Sequence, residues 1–306
     1  MTPGNQGCTK PTQMMSASQY RQIDPTIRSF LDRIEEAGVD LYAPDLAKFV
    51  SFVPEMDSYR QLEACKTGSV NWRVVHPVGQ AGKSNPFILY LCRVQQDGLD
   101  AWESHGQSAL QIAQASHSGL VFAEIDRGST SARAVADVRK ILEILEFKAD
   151  SFGLDPESWV MVADGDSSLV AIESLVGVTR NALSQPAGLS LLTPVLGTKA
   201  DDEMSYCLTC LASGSFNSEF NPTLEQLRLL PPTLIVLAGV DPFRSTAEAF
   251  AQRLVLADVE TVAVCVFGAI HDFCWLAPLL DLAVTATAHG LVTNMVTTSF
   301  ATTLRP

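Results

Sequence analysis

A mostly parallel β-sheet covered by helices on both faces is the fold class this chain predicts, and three observations predict it. Short apolar runs of strand character alternate with stretches of helical spacing along most of the 306 residues. The apolar runs are continuous rather than alternating, as strands buried on both faces require. One run, Trp159-Val-Met-Val-Ala163, passes through Asp164-Gly165-Asp166-Ser167-Ser168 into the helical pattern Leu169–Val178, a strand, a sharp turn and a helix in succession. Taken alone, that stretch reads first as an ordinary strand-to-helix connection with Asp166 or Ser167 as helix cap. The same context also suits a nucleophile held at a tight turn.

In chain order, residues 1 to about 20 are polar and rich in Gly, Ser and Gln, and are expected to form a flexible arm. A single domain over 21–306 follows. Asp24-Pro25 starts a helix, with Asp as N-cap and Pro at its first position, and Ile27, Phe30, Leu31 and Ile34 keep helical spacing up to Gly38. A second short helix is expected over Asp45–Val53, completing an N-terminal helical flap at about 22–55. Strands are expected at Val70–Val78, Pro86–Cys92, Gly119–Ile125, 159–163, Leu189–Val195, Thr233–Ala238 and Thr261–Phe267. Helices are expected at about Ser104–Ala115, Ser131–Phe152, Glu248–Ala257 and Leu276–Leu291. The stretch 196–230 lacks a clear period.

Composition excludes several functions. The chain is 47% hydrophobic and 18% charged, a folded globule, and 34 acidic against 21 basic residues give a formal charge of −13. With no basic run, neither nucleic acid nor an anionic membrane surface is an expected partner. Met1–Ser18 has no apolar signal core and no segment approaches a membrane span. Seven cysteines are scattered; Cys207 and Cys210 have a formal CxxC spacing, but no second pair or nearby histidine completes a zinc site. Free thiols point to a reducing, cytoplasmic setting.

Ligands of such sheets sit at the carboxyl ends of the strands. Ser167, Asp241 and His271 each follow an apolar strand, in the order Ser, Asp, His. Singly, Asp241-Pro242 could open a turn and His271 could be a surface or satisfied core residue.

The segments around them resemble the hormone-sensitive-lipase-like branch of the α/β-hydrolases, which includes bacterial esterases and plant carboxylesterases. The match is carried by Leu230-Pro-Pro-Thr-Leu-Ile-Val-Leu-Ala-Gly-Val-Asp-Pro-Phe-Arg244, by Ala247–Leu254, and by Phe267-Gly-Ala-Ile-His-Asp-Phe273, which is similar to a family Gly-x-x-His-Gly-Phe pattern. Asp155-Pro156 ahead of Gly165-Asp166-Ser167, Ile23–Arg33 and Leu191–Val195 add weaker similarity. The resemblance implies an α/β-hydrolase fold with a mostly parallel sheet, no metal and no organic cofactor. It implies Ser167 as nucleophile, His271 as general base and acid, and Asp241 as the residue orienting it.

The chain departs from the family in four places. Arg93-Val94-Gln95-Gln96 stands where the family has His-Gly-Gly-Gly, so the oxyanion hole is atypical; Ser168 N–H, Arg93, Val94, Gln95 and Asp166 are the candidate oxyanion or substrate-binding groups. The family's Gly-Asp-Ser-Ala-Gly becomes Gly165-Asp-Ser-Ser-Leu169. The cap is reduced to about 196–230, and the Asp-Tyr-Arg-Leu-Ala-Pro-Glu stretch to Asp126-Arg127-Gly128. Three functions follow as expectations: an esterase acting on a small ester or lactone through the triad; a non-hydrolytic acid–base enzyme, a cyclase or dehydratase of natural-product biosynthesis; or an inactive binding protein. A small-molecule substrate is expected, and a homo-oligomer closing the site stays open.

Overall fold

The structure is a computed structural model, and it describes residues 17–38, 54–79, 84–93, 100–126, 128–176, 185–197 and 221–303. The expected helix at 45–53, Val94, Gln95, Gln96, Arg127, Cys8, Cys207, Cys210 and the cap residues 198–220 lie outside them. The elements in order are α1 (Ala17–Gln22), α2 (Pro25–Glu36), β1 (Tyr59–Thr67), β2 (Val70–Pro77), β3 (Asn85–Cys92), α3 (Ala101–Ala115), β4 (Gly119–Ile125) and α4 (Ser131–Lys148). A 3₁₀ turn (Ala149–Phe152) leads to β5 (Leu154–Asp164), α5 (Ser167–Val176), β6 (Leu189–Leu192), α6 (Leu224–Leu227), β7 (Thr233–Val240), α7 (Arg244–Leu256), β8 (Thr261–Ile270) and α8 (Ala283–Thr303).

The strands form one eight-stranded sheet, ordered β1-β2-β4-β3-β5-β6-β7-β8. From β4 across to β8 the pairs are parallel, and β1 and β2 join antiparallel at one edge. Alternation along each central strand builds two cores. Ile88, Tyr90, Cys92, Val160 and Val162 face α2, α3 and α8, whereas Phe87, Leu89, Leu91, Met161 and Ala163 face α4, α5 and α7. This two-sided burial is why these strands read as unbroken apolar runs.

Asp24 caps α2 as expected, its carboxylate accepting from the N–H groups of Thr26 and Ile27, and Ile27, Phe30, Leu31 and Ile34 are buried. Four differences from expectation stand out. The arm expected to reach about residue 20 includes α1. β1 was not expected, because it is a largely exposed edge strand, alternating little. β5 starts at Leu154, upstream of Asp155-Pro156, which the ladder tolerates because its register with β3 slips between Asn85 and Phe87. The closing helix is not Leu276–Leu291: a 3₁₀ turn containing Pro278 precedes α8, which runs to Thr303. Its buried Ala288, Val292, Val296 and Phe300 keep a spacing of four, in a Thr-rich stretch of low helix propensity. No helix among the described residues is long and apolar enough to cross a membrane.

Candidate active site

The turn after β5 is the focal point at the carboxyl end of the sheet. β5 ends at Asp164, Gly165 takes the left-handed conformation (φ +52°), and α5 begins at Ser167. The Gly165 N–H donates to the Leu192 carbonyl (3.0 Å) and its own carbonyl accepts from Val195 N–H (3.0 Å), so the tip is tied to the end of β6. A nucleophile elbow holds its reactive residue at the strained tip between strand and helix. Here Gly165 occupies that tip.

Ser167 lies two residues further on, inside the first turn of α5. Its Oγ accepts from the Asp164 N–H (3.0 Å) and faces the carbonyls of Leu91 (2.8 Å) and Asp164 (2.6 Å), with no solvent exposure. These contacts are those of a capping serine that ties α5 to β3 and β5. The structure therefore does not bring Ser167 to His271, and the alignment of Gly165-Asp-Ser with the family's Gly-Asp-Ser is two residues out of register. Ala163-Asp164-Gly165-Asp166-Ser167 is the segment that fits Gly-Asp-Ser-Ala-Gly geometrically, with Gly165 in the serine's place and small Ser167 where a glycine allows close helix approach. Ser168 is also buried in α5, its Oγ 3.5 Å from the Ala163 carbonyl, and its N–H points back at the Gly165 carbonyl (3.3 Å). The candidate oxyanion donor Ser168 N–H is thus already engaged within the turn.

Asp241 and His271 are brought together. Asp241 follows β7; its Oδ1 accepts from Phe243 N–H (2.8 Å) and its Oδ2 lies 2.9 Å from His271 Nδ1. Among the described residues the other ring nitrogen meets no hydroxyl. Nε2 of His271 makes no hydrogen bond, and its ionic neighbour is Asp272 Oδ1 at 3.4 Å. Asp272 itself adopts φ +62°, where the family pattern has glycine after the histidine. A Cβ placed on Gly165 would lie 3.6 Å from the same Asp272 oxygen, so Asp272 stands beside both the elbow tip and His271.

The electrostatics follow from this geometry. Burial alone would push the His271 pKa down, but the carboxylates of Asp241 and Asp272 outweigh it and raise it to about 10. Asp272 is itself shifted upward by burial, against the pull of His271. Asp164, also fully buried, is pushed well up by burial and then by Asp272, while Tyr90 Oη donates to its Oδ2 (2.9 Å). At neutral pH His271 is an imidazolium between two acids rather than a free base.

Arg93 directly follows β3 and reaches across the elbow. Its Nη1 pairs with Asp166 Oδ2 (3.1 Å) and its Nη2 donates to the Ser129 carbonyl (3.3 Å), both side chains being nearly buried. Two of the expected oxyanion or binding residues, Arg93 and Asp166, are thus joined to each other; Val94 and Gln95 lie outside the described residues. His105, expected to mark the alignment, is buried against Trp275 (ring centroids 4.3 Å apart), and burial lowers its pKa to about 3.

A family model described as the α/β-hydrolase fold matches residues 130–275. A protein of Acanthamoeba polyphaga mimivirus named as an α/β hydrolase is 39% identical, over 89% of this chain and 87% of that protein. The chain belongs to the α/β-hydrolase family. Solved structures agree at the level of the fold: a thermostable esterase from Pseudomonas putida superposes with a TM-score of 0.78 at 16% identity, covering 91% of this chain and 98% of that one. Carboxyl esterase 2 from Tuber melanosporum gives 0.77 at 18%, covering 91% and 100%. This α/β hydrolase shares its fold with both esterases.

Sequence reading missed three residues of the site. Gly165 was hidden by the letters Gly-Asp-Ser, which occur two positions late. Asp272 was legible as a departure from His-Gly-Phe, since an L-residue there must hold a left-handed backbone. Asp164, the last residue of β5, carried no signal beyond its place in a buried strand.

Proposed function

We propose that this carboxylesterase-like enzyme works through a non-covalent acid–base site, His271 with Asp241 and Asp272, and does not form an acyl-enzyme on Ser167. One observation carries this reading: Gly165 stands at the elbow tip beside Asp272, and among the described residues His271 Nε2 has that carboxylate beside it and no hydroxyl. A seryl route would require Ser167 Oγ to leave three backbone contacts and an imidazolium of pKa about 10 to act as a base at neutral pH.

Asp241 fixes the ring through Nδ1–H, leaving Nε2–H as the proton donor. For a small substrate with a leaving oxygen, His271 gives this proton to the oxygen as the C–O bond breaks. The neutral imidazole then removes a proton from the adjacent carbon, forming the C=C bond and regenerating the imidazolium. Such an elimination, or the related cyclisation, needs no oxyanion hole for a tetrahedral intermediate. A second reading, a binding protein, draws support from the complete burial of His271 and from the Arg93–Asp166 pair across the elbow.

The first test is incubation with p-nitrophenyl acetate and butyrate and with a serine-directed fluorophosphonate. The expected result is no acyl-enzyme burst and no covalent label, unchanged in Ser167→Ala. Labelling of Ser167 would overturn the proposal. Mass-spectrometric comparison of small-molecule extracts before and after incubation separates the other two: substrate consumption lost in His271→Ala supports the acid–base enzyme, and ligand retention without conversion supports the binding protein.

A further inference from the structure

The two edges of the sheet are unlike. β1, at one edge, carries Arg60, Glu63 and Lys66, and its register with β2 slips between Gln61 and Glu63. Charges and bulges of this kind keep an edge strand from pairing with another chain. β8, at the other edge, reads Thr261-Val-Ala-Val-Cys-Val-Phe-Gly-Ala-Ile270, without a charged residue, and runs in register with β7 from Thr261 to Val266. Val262 is 53% exposed and Phe267 80% exposed. α8, which packs on β8, is likewise free of Asp, Glu, Lys and Arg from Ala283 to Thr303. In a chain with a formal charge of −13, this uncharged end is where a like-charged copy meets least repulsion.

The backbone of β8 sets how a partner can join. The Glu260 carbonyl accepts from Thr233 N–H (2.8 Å), so Val262, Val264 and Val266, of the same parity, turn their backbone groups to β7. Thr261, Ala263, Cys265 and Phe267 turn theirs outward, and among the described residues nothing pairs with them. The free edge stops at Gly268, whose carbonyl accepts from Asp24 N–H (2.9 Å). Antiparallel strands exchange hydrogen bonds only between residues that both point at the partner. A two-fold axis at Val264 achieves this for all four outward residues. Thr261 then meets Phe267 of the partner subunit, and Ala263 meets Cys265 of the partner subunit. Val264 lies opposite its own copy in a non-hydrogen-bonded position, with Cα atoms about 4.5 Å apart.

We propose that β8 pairs in this way with a second copy of the chain, making one continuous sheet across a dimer. Residues 261–267 give an edge of about 23 Å. With a helix layer of about 10 Å on each face of the sheet, this end offers on the order of 700 Å² per copy, close to the ~800 Å² of a standard interface. The pairing does not depend on which reaction His271 performs.

Sedimentation equilibrium of the full chain from about 1 to 100 µM is expected to show a dimer with Kd below about 10 µM. Val262→Lys and Phe267→Glu change exposed side chains, so the fold is kept, and each should weaken the dimer at least ~10-fold. Leu62→Lys, on the opposite edge, should leave it unchanged. In a Cys265→Ser background, Val264→Cys should form an intermolecular disulfide on mild oxidation, because directly opposed non-hydrogen-bonded residues lie within disulfide reach. Val262→Cys, which would face Val266 of the partner subunit, should not. A monomer over the whole range, a dimer insensitive to both β8 substitutions, or a dimer not cross-linked through position 264 would each overturn the proposal. So would β8 amides protected from hydrogen exchange in a monomer, since another segment of the same chain would then cover the edge.

Discussion

Replacing Asp272 by Asn tests the electrostatics of the site with the least disturbance to its shape. Asn tolerates the left-handed backbone that Asp272 adopts (φ +62°), and it keeps the size of the side chain while removing its charge. At the observed 3.4 Å between His271 Nε2 and Asp272 Oδ1, a unit charge pair at an effective dielectric of 20 is worth about 5 kcal/mol, or roughly three to four pKa units. The His271 pKa is therefore expected to fall from about 10 by up to roughly three to four units, with Asp241 still opposing the effect of burial. The sign of the stability effect follows. A folded-state pKa raised from 6.5 to about 10 contributes stability that is full below pH 6.5 and is lost as pH rises through 10. The whole range is worth on the order of 5 kcal/mol. Asp164, pushed up by burial, acts in the same direction. The wild-type chain should lose stability steadily between pH 6.5 and 10, and Asp272→Asn should flatten most of that slope. NMR titration of the His271 ring, with denaturant unfolding at pH 6, 8 and 10, measures both. A variant in which His271 still titrates near pH 10, or a wild type in which the ring is already neutral at pH 8, would refute the reasoning.

Three other outcomes are expected. Ser167→Ala should cost about 1–3 kcal/mol in denaturant unfolding, because the buried Asp164 N–H loses its acceptor, whereas a purely catalytic serine could be removed without such a cost. Arg93→Ala should cost about 3–5 kcal/mol by taking the guanidinium away from the buried Asp166 carboxylate, and Arg93→Met with Asp166→Leu should recover much of the loss. Gly165→Ser places a Cβ in ordinary contact range of Asp272 but strains a left-handed backbone, at about 1–2 kcal/mol. Alone it should stay unlabelled by fluorophosphonate at pH 7, because His271 is protonated; combined with Asp272→Asn it should become labelled.

Much of the fold was legible because its signals are local. Continuous apolar runs mark strands covered on both faces, and Asp24-Pro25 marks a helix start wherever it occurs. The edge strand β1 was not legible, since an exposed strand beside a hairpin turn carries no apolar pattern. The closing helix was misplaced because threonines argue against a helix that buried Ala288, Val292, Val296 and Phe300 nonetheless hold in place. At the site, the Asp241–His271 contact was legible through the family resemblance of the segments at two strand ends.

Residue order alone determined the sheet of buried strands, because apolar periodicity and strand termini do not depend on knowing what lies opposite, and its resemblance to a family implied the meeting of Asp241 with His271. Only the tertiary structure decided which residue of Asp164-Gly165-Asp166-Ser167 stands at the elbow. The letters suit a serine at the tip, but the left-handed backbone falls on Gly165 and the first turn of α5 takes Ser167 inward. It also decided the charge of His271, since Asp272 reaches Nε2 through a backbone conformation that no spacing announces. A hydroxyl's chemistry depends on what it faces, and Ser167 faces the carbonyls of Leu91 and Asp164.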